Sequence, residues 1–205
     1  MNNQNPKISI ITVCYNAVDS IERTIRSIVC QIYPNFEYII VDGGSKDGTV
    51  DIMSRYADKI TKMISEPDCG IYNAMNKGIR LASGDYCIFM NAGDMFCHDL
   101  VLRQVSFFLY TNSDVYVGRE LSYKKGKLID YVYPPQREYL RKRLLSSSLS
   151  HQSAFIKRTL LIDTPYDENL RLVSDWKFWI QTLWLGDKSY EAMDVDVCKF
   201  NHEGV

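Results

Sequence analysis

Within the first ninety residues, four β-rich apolar runs alternate with segments of helical periodicity, and this alternation constrains the fold more than any other feature. The runs are residues 7–13 (KISIITV), 36–41 (FEYIIV), 60–64 (ITKMI) and 86–90 (YCIFM). Between the first two, Asp19 and Glu22 resemble a capping box, Ile21, Ile25, Ile28 and Ile32 fall at helical spacing, and Pro34 stops the element. Residues 49–56 read as a short helix and 71–82 as a longer one, broken by Ser83-Gly84. Strand and helix alternating at this spacing predict an α/β fold with a parallel sheet and crossover helices.

After Asp94 the rhythm changes. Residues 100–110 are amphipathic and helical, 115–118 form a short strand, and 121–132 form a hairpin turning at Lys125-Gly126. Residues 136–145 set Arg137, Arg141, Lys142 and Arg143 among Tyr139, Leu140, Leu144 and Leu145. Such a run is either a solvated helix face or a surface for an anionic membrane. Trp176, Trp179, Ile180, Leu183 and Trp184 mark one face of a last helix. The expected organisation is one domain over residues 1–205, with an elaborated C-terminal third.

Composition narrows the function classes. The 205 residues carry 24 Lys+Arg against 25 Asp+Glu, a formal charge of −1, which gives no general pull toward nucleic acid. No uncharged apolar run approaches the roughly 18 residues of a membrane span. Residues 1–7 lack a basic segment followed by an apolar one and a cleavage site, so export is not expected. The six cysteines form no C-x-x-C pair and are expected to be reduced cytosolic thiols.

In an open parallel sheet, ligands bind beyond the carboxyl ends of the strands. Three polar clusters fall at such ends: Tyr15-Asn16, Asp42-Gly43-Gly44-Ser45 and Asn91-Ala92-Gly93-Asp94. The glycine loop is neither a dinucleotide fingerprint, because Ser45 stands where a glycine is needed, nor a P-loop, because Gly48 is followed by Thr49-Val50 without lysine.

Three blocks, ISIITVCYNAVDSIERTIRSIVCQ, YIIVDGGSKDGTVDIM and SEPDCGIYNAMNKGIRLASGDYCIFMNAGD, resemble family 2 glycosyltransferases of the GT-A fold. The resemblance is dense over residues 7–98 and resumes at HQSAFIKR and YDENLRLVSDWKFW. It implies a Rossmann-like, mostly parallel sheet flanked by helices. Residues 1–118 are then the nucleotide-sugar half and 119–205 the acceptor-side half carrying the base. It also implies inverting transfer, of hexosyltransferase type, from a nucleotide-sugar donor, with UDP favoured, to a saccharide or lipid-linked saccharide in surface or capsular polysaccharide assembly. The expected location is cytoplasmic, with peripheral contact at the inner face of the membrane. Relatives commonly continue beyond the last residue, so a truncated chain is expected.

Carried over by residue, the resemblance assigns the nucleotide to Val13, Tyr15, Asn16, Asp42, Asp68, Asn76 and Lys77. It assigns Mg²⁺ or Mn²⁺ to Asp94, with His202 near the ion, because diphosphate oxygens call for a hard cation. His151 falls on the acceptor side, and Asp175 is the catalytic base. Gly43 and Gly93 stand where many members carry acids, and Ser174 where a glutamate usually precedes the base. Two other readings stay open. A sugar-1-phosphate nucleotidyltransferase would need a glycine- and arginine-rich loop after the first strand, unlike Tyr15-Asn16-Ala17-Val18. A degenerate domain that binds nucleotide or a partner without turnover would suit Gly43 and Gly93 but not retention of Asp94 and Asp175.

Overall fold

Every residue of strand β1 (Ile8–Cys14) is buried, as an uninterrupted apolar run covered on both faces requires. The computed structural model describes residues 5–202; residues 1–4, read above for a leader, and residues 203–205 lie outside the described residues. On one side of β1 lie β2 (Phe36–Asp42) and β3 (Lys62–Ser65), on the other β4 (Tyr86–Phe89), all parallel to it. Helices α1 (Ile21–Val29) and α2 (Thr49–Ser54) pack on one face, through Ile21, Ile25, Ile28 and Met53. Helix α3 (Ile71–Leu81) packs on the other through Tyr72, Met75 and Ile79. It lies so close to β1 that a Cβ on Gly78 would stand 2.4 Å from Ile11 Cγ2. The chain therefore reverses its direction of winding between β1 and β4, the topological switch point where ligands bind in such sheets.

The C-terminal half extends the same sheet. Its elements are β5 (Met95–Phe96), α4 (Val101–Ser106), β6 (Val115–Lys124), β7 (Lys127–Val132) and α5 (Leu140–Leu144). They are followed by β8 (Ala154–Lys157), α6 (Arg158–Asp163), α7 (Ser174–Trp179) and β9 (Tyr190–Asn201). The strand order is β3-β2-β1-β4-β8-β6-β9-β5, with β7 on β6 alone. β8 runs antiparallel to β4 and to β6, whereas β9 returns parallel to β6. Among the described residues no helix is long and apolar enough to cross a membrane.

Several boundaries differ from those expected. α1 stops at Val29, and Ile32 lies beyond it, exposed. The capping box does not form: Glu22 accepts instead from Arg26 and Tyr56, at 3.0 and 2.8 Å. The predicted short strand and the first hairpin arm are one continuous β6, which pairs with β9 on both sides of Gly118 although the register shifts between Val117 and Arg119 and again before Glu120. A side chain there would meet Val197 Cγ2 at 2.5 Å. The turn at Lys125-Gly126 forms as expected, with φ of 51° and 68°. The tryptophan-rich helix splits into α7 and a π-helical continuation, Ile180–Leu185.

Candidate active site

The order β2-β1-β4 brings the three polar clusters to one edge of the sheet. At β1, Tyr15 is 66% exposed, and its ring rests against Gly43: a Cβ on Gly43 would lie 3.2 Å from Tyr15 Cδ2 and 2.6 Å from Asp68 Oδ2. Tyr15, Gly43 and Asp68 thus converge. The Asp68 carboxylate occupies the space that a side chain at position 43 would take. Its other oxygen accepts from the Gly70 amide at 2.8 Å, which closes the turn into α3.

Three of the predicted nucleotide residues are also part of the scaffold. Asp42 is fully buried; the amides of Gly44 and Ser45 and the hydroxyls of Ser45 and Ser65 all donate to its carboxylate. Burial alone would raise its pKa, but these donors outweigh burial and hold it below the usual carboxylate range. Asn76 is buried too, because its amide group donates to the Tyr166 carbonyl and Glu168, both at 2.8 Å, and accepts from the Tyr166 amide at 3.1 Å. It ties α3 to the C-terminal half. The Val13 side chain is core, and its carbonyl accepts from the Ala92 amide at 3.2 Å.

Asn16 and Lys77 brace the loops of this edge. Asn16, at φ 47°, accepts from the Lys46 amide while its own amide donates to Ser45 Oγ at 2.7 Å, stitching two strand-end loops together. Lys77 pairs with Glu66 at 2.8 Å and donates to the Pro67 carbonyl at 3.1 Å, fixing the turn that carries Asp68.

The acidic end of β4 meets the C-terminal half through strand register. Cys87 pairs with Ile156, so the residues before β8 arrive beside the loop after β4. Asn91 Nδ2 donates to His151 Nε2 at 3.1 Å, leaving His151 Nδ1 to face Asp175 Oδ2 at 3.6 Å. Asp175 also accepts from Tyr72 Oη at 2.9 Å and from Ser148 Oγ at 3.0 Å. Burial would raise its pKa; His151, Tyr72 and Ser148 together draw it below the usual range, so the group stays anionic. Val173, not Asp175, caps α7, so the carboxylate is free of a capping role.

Asp94 is 5% exposed. Burial pushes its pKa up to about 7, offset in part by His151 and Arg23, while Glu120 adds to the rise. Glu120, on β6, is held by Ser122 and Ser150 hydroxyls at 2.9 and 2.5 Å. His202 is not gathered into this group: its ring packs edge-on against Phe200, 4.8 Å between centroids, and its amide donates to the Tyr123 carbonyl. Among the described residues no three metal-ligating His, Cys, Asp or Glu groups converge. The oxygen set still suits a hard cation that a ligand completes. Besides Asp94, the buried Asn91 Oδ1 has no hydrogen-bond partner, an orphaned acceptor in the same loop.

The structure therefore groups Asn91, Asp94, His151 and Asp175 in one cluster and Tyr15 and Asp68 in another, on loops at the same edge of the sheet. Tyr72, Ser148 and Glu120 were missed in the sequence, where Asn91 stood out only as part of its polar cluster. Tyr72 lies 103 residues from Asp175, and only its place in the GIYNAM block hinted at a role.

The family described as Glycosyl transferase family 2 matches residues 9–162. A PGL/p-HBAD biosynthesis glycosyltransferase of Mycobacterium bovis is 29% identical, over 97% of this chain and 78% of its own length. A Bacillus subtilis glycosyltransferase named for teichuronic acid biosynthesis is 30% identical, over 93% of this chain and 77% of its own. The fold is similar to that of S. aureus TarS in complex with UDP, with a TM-score of 0.77 at 20% identity. That match covers 95% of this chain but spans 60% of the TarS chain. A Pyrobaculum calidifontis mannosyltransferase in complex with GDP-Man and Mn²⁺ is similar at a TM-score of 0.72 and 18% identity, covering 96% of this chain and 57% of its own.

Proposed function

The chain belongs to glycosyl transferase family 2 and is a glycosyltransferase of the GT-A fold; from that premise we propose that it is an inverting, metal-dependent enzyme moving a sugar from a UDP-sugar to a saccharide or lipid-linked saccharide. Residues 1–118 hold the donor and residues 119–205 carry the base and the acceptor side. The setting is surface polysaccharide assembly at the cytoplasmic face of a membrane. In support, TarS is described with UDP and UDP-GlcNAc, and two relatives are named for PGL/p-HBAD and for teichuronic acid biosynthesis.

The observation that carries this reading is the Asp175 carboxylate, kept anionic and linked through His151 to the Asn91–Asp94 loop. The nucleoside rests on Tyr15, with Asp68 within reach of its polar edge. The diphosphate then reaches toward Asp94. Mg²⁺ or Mn²⁺, held by Asp94 and Asn91 Oδ1 with diphosphate and water oxygens, would neutralise diphosphate charge. The acceptor hydroxyl attacks the anomeric carbon in line and gives its proton to Asp175. The new bond forms from acceptor oxygen to anomeric carbon; the bond from that carbon to the phosphate oxygen breaks, its electron pair leaving with UDP. One displacement inverts the centre, and no protein nucleophile is required. His151 and Tyr72 fix the carboxylate's orientation.

The test is a screen of UDP-, GDP- and dTDP-sugars for nucleotide release, paired with calorimetry of UDP and Mn²⁺. UDP release from one donor, with Mn²⁺-stimulated UDP affinity lost in folded Asp94→Ala, is expected. Binding without turnover of any donor would overturn the reading.

A further inference from the structure

Positive charge and exposed apolar side chains outside the active site are concentrated in one stretch. Residues 122–145 contain seven Lys or Arg and two Asp or Glu, in a chain whose formal charge is −1, so the remainder of the molecule is net acidic. The same stretch exposes Ile129, Tyr131 and Tyr133 on and after the edge strand β7, and Tyr139 and Leu145 on either side of α5. Leu140 and Leu144 anchor α5 in the core, so its cationic side chains face outward. The hairpin and α5 adjoin, since Tyr133 and Arg143 line one crevice with Ser150. Asp187 pairs with Arg137 and approaches Arg141, but among the described residues Lys124, Lys127, Lys142 and Arg143 form no ion pair.

We infer that the β7 hairpin and α5 form a docking surface for an anionic lipid bilayer. Unpaired cations beside exposed tyrosine and aliphatic side chains are the chemistry of an interfacial site: the cations attract acidic headgroups, and the amphipathic rings settle at headgroup level. A net-acidic molecule would otherwise be repelled by such a surface, so the bilayer meets this face and no other. Ser148, three residues past Leu145, donates to Asp175. A bilayer on this face would therefore hold a lipid-linked acceptor's head group beside the base. The inference rests on the proposed transfer only for that purpose; adsorption itself needs neither donor nor turnover.

The test is flotation of the whole chain with vesicles of phosphatidylcholine alone and of phosphatidylcholine mixed with phosphatidylglycerol, at low and high salt. Binding to the anionic vesicles should exceed binding to the neutral ones, weaken with salt, and fall about tenfold or more in K142E/R143E. Tyr139→Ser with Leu145→Ser should weaken the binding that survives high salt. Thermal unfolding and UDP calorimetry on the same variants separate this from a folding defect and from failure of the donor site. Equal flotation on both vesicle types, or variants that float like the parent chain, would overturn it. So would variants that change only a monomer–dimer equilibrium, which would make this face a contact between copies of the chain.

Discussion

His151 stands against Asp175 with its Nδ1 3.6 Å from the carboxylate, and its tautomer is set from behind by Asn91, which donates to Nε2. One imidazole thus joins the loop after β4 to the first turn of α7. A base held by an imidazole, a phenol and a serine hydroxyl keeps its orientation at some cost in basicity, since each donor stabilises the anion.

Asp175→Asn keeps the shape of this cluster and removes the proton acceptor. Transfer should fall by roughly 10²–10⁴-fold while UDP affinity and melting temperature change little. Steady-state rates beside calorimetry check this; transfer within a few-fold of the parent chain would remove Asp175 from the chemistry.

His151→Ala should shift the pH profile. Without the imidazole the Asp175 carboxylate loses stabilisation, so its pKa rises and the acid limb of the transfer rate moves to higher pH. A merely structural histidine would lower the rate equally at all pH values.

Gly43→Ala places a methyl group 2.6 Å from Asp68 Oδ2 and 3.2 Å from the Tyr15 ring. Uridine affinity should drop, as it should in Asp68→Ala and Tyr15→Ala, with metal binding spared. The G43A/D68A double variant should lose less than the two single losses combined, because the clash disappears with the carboxylate.

Asn76→Ala should leave UDP affinity unchanged and cost about 1–3 kcal/mol of stability, since it strands the Tyr166 backbone groups inside the protein. Urea unfolding measures the loss. Weaker UDP binding with unchanged stability would restore Asn76 to the nucleotide site.

Glu37 supplies an acid-sensitive anchor at the far end of β2. Burial would raise its pKa, but donors from Ser9, the Ser83 amide and hydroxyl, and Lys7 bring it from 4.5 down to about 2. Because the folded value lies below the unfolded one, its stabilisation is complete above pH 4.5 and drains away as pH falls toward 2. Glu37→Gln should remove roughly 2–3 kcal/mol at neutral pH and flatten the acid limb of a stability–pH curve.

The sequence by itself determined the first half of the fold and one edge of the site. Local alternation of β-rich runs and helical spacing is a short-range property, and right-handed crossovers then leave few ways to order β1 to β4. Strand ends fall where strands stop, so Tyr15, Asp42 and Asp94 could be set on one edge from the sequence. What each of those side chains does there is another matter. Asp42 and Asn76 read as ligands, and the fold also gives them bonds to Ser65 and Tyr166, partners 23 and 90 residues away. Asp68 filled the space beside Gly43, and His151 reached Asn91 only through the antiparallel register of β8 on β4. A polar side chain binds whichever donor or acceptor burial brings within about 3 Å, and long-range strand pairing, absent from any local pattern, decides which one that is.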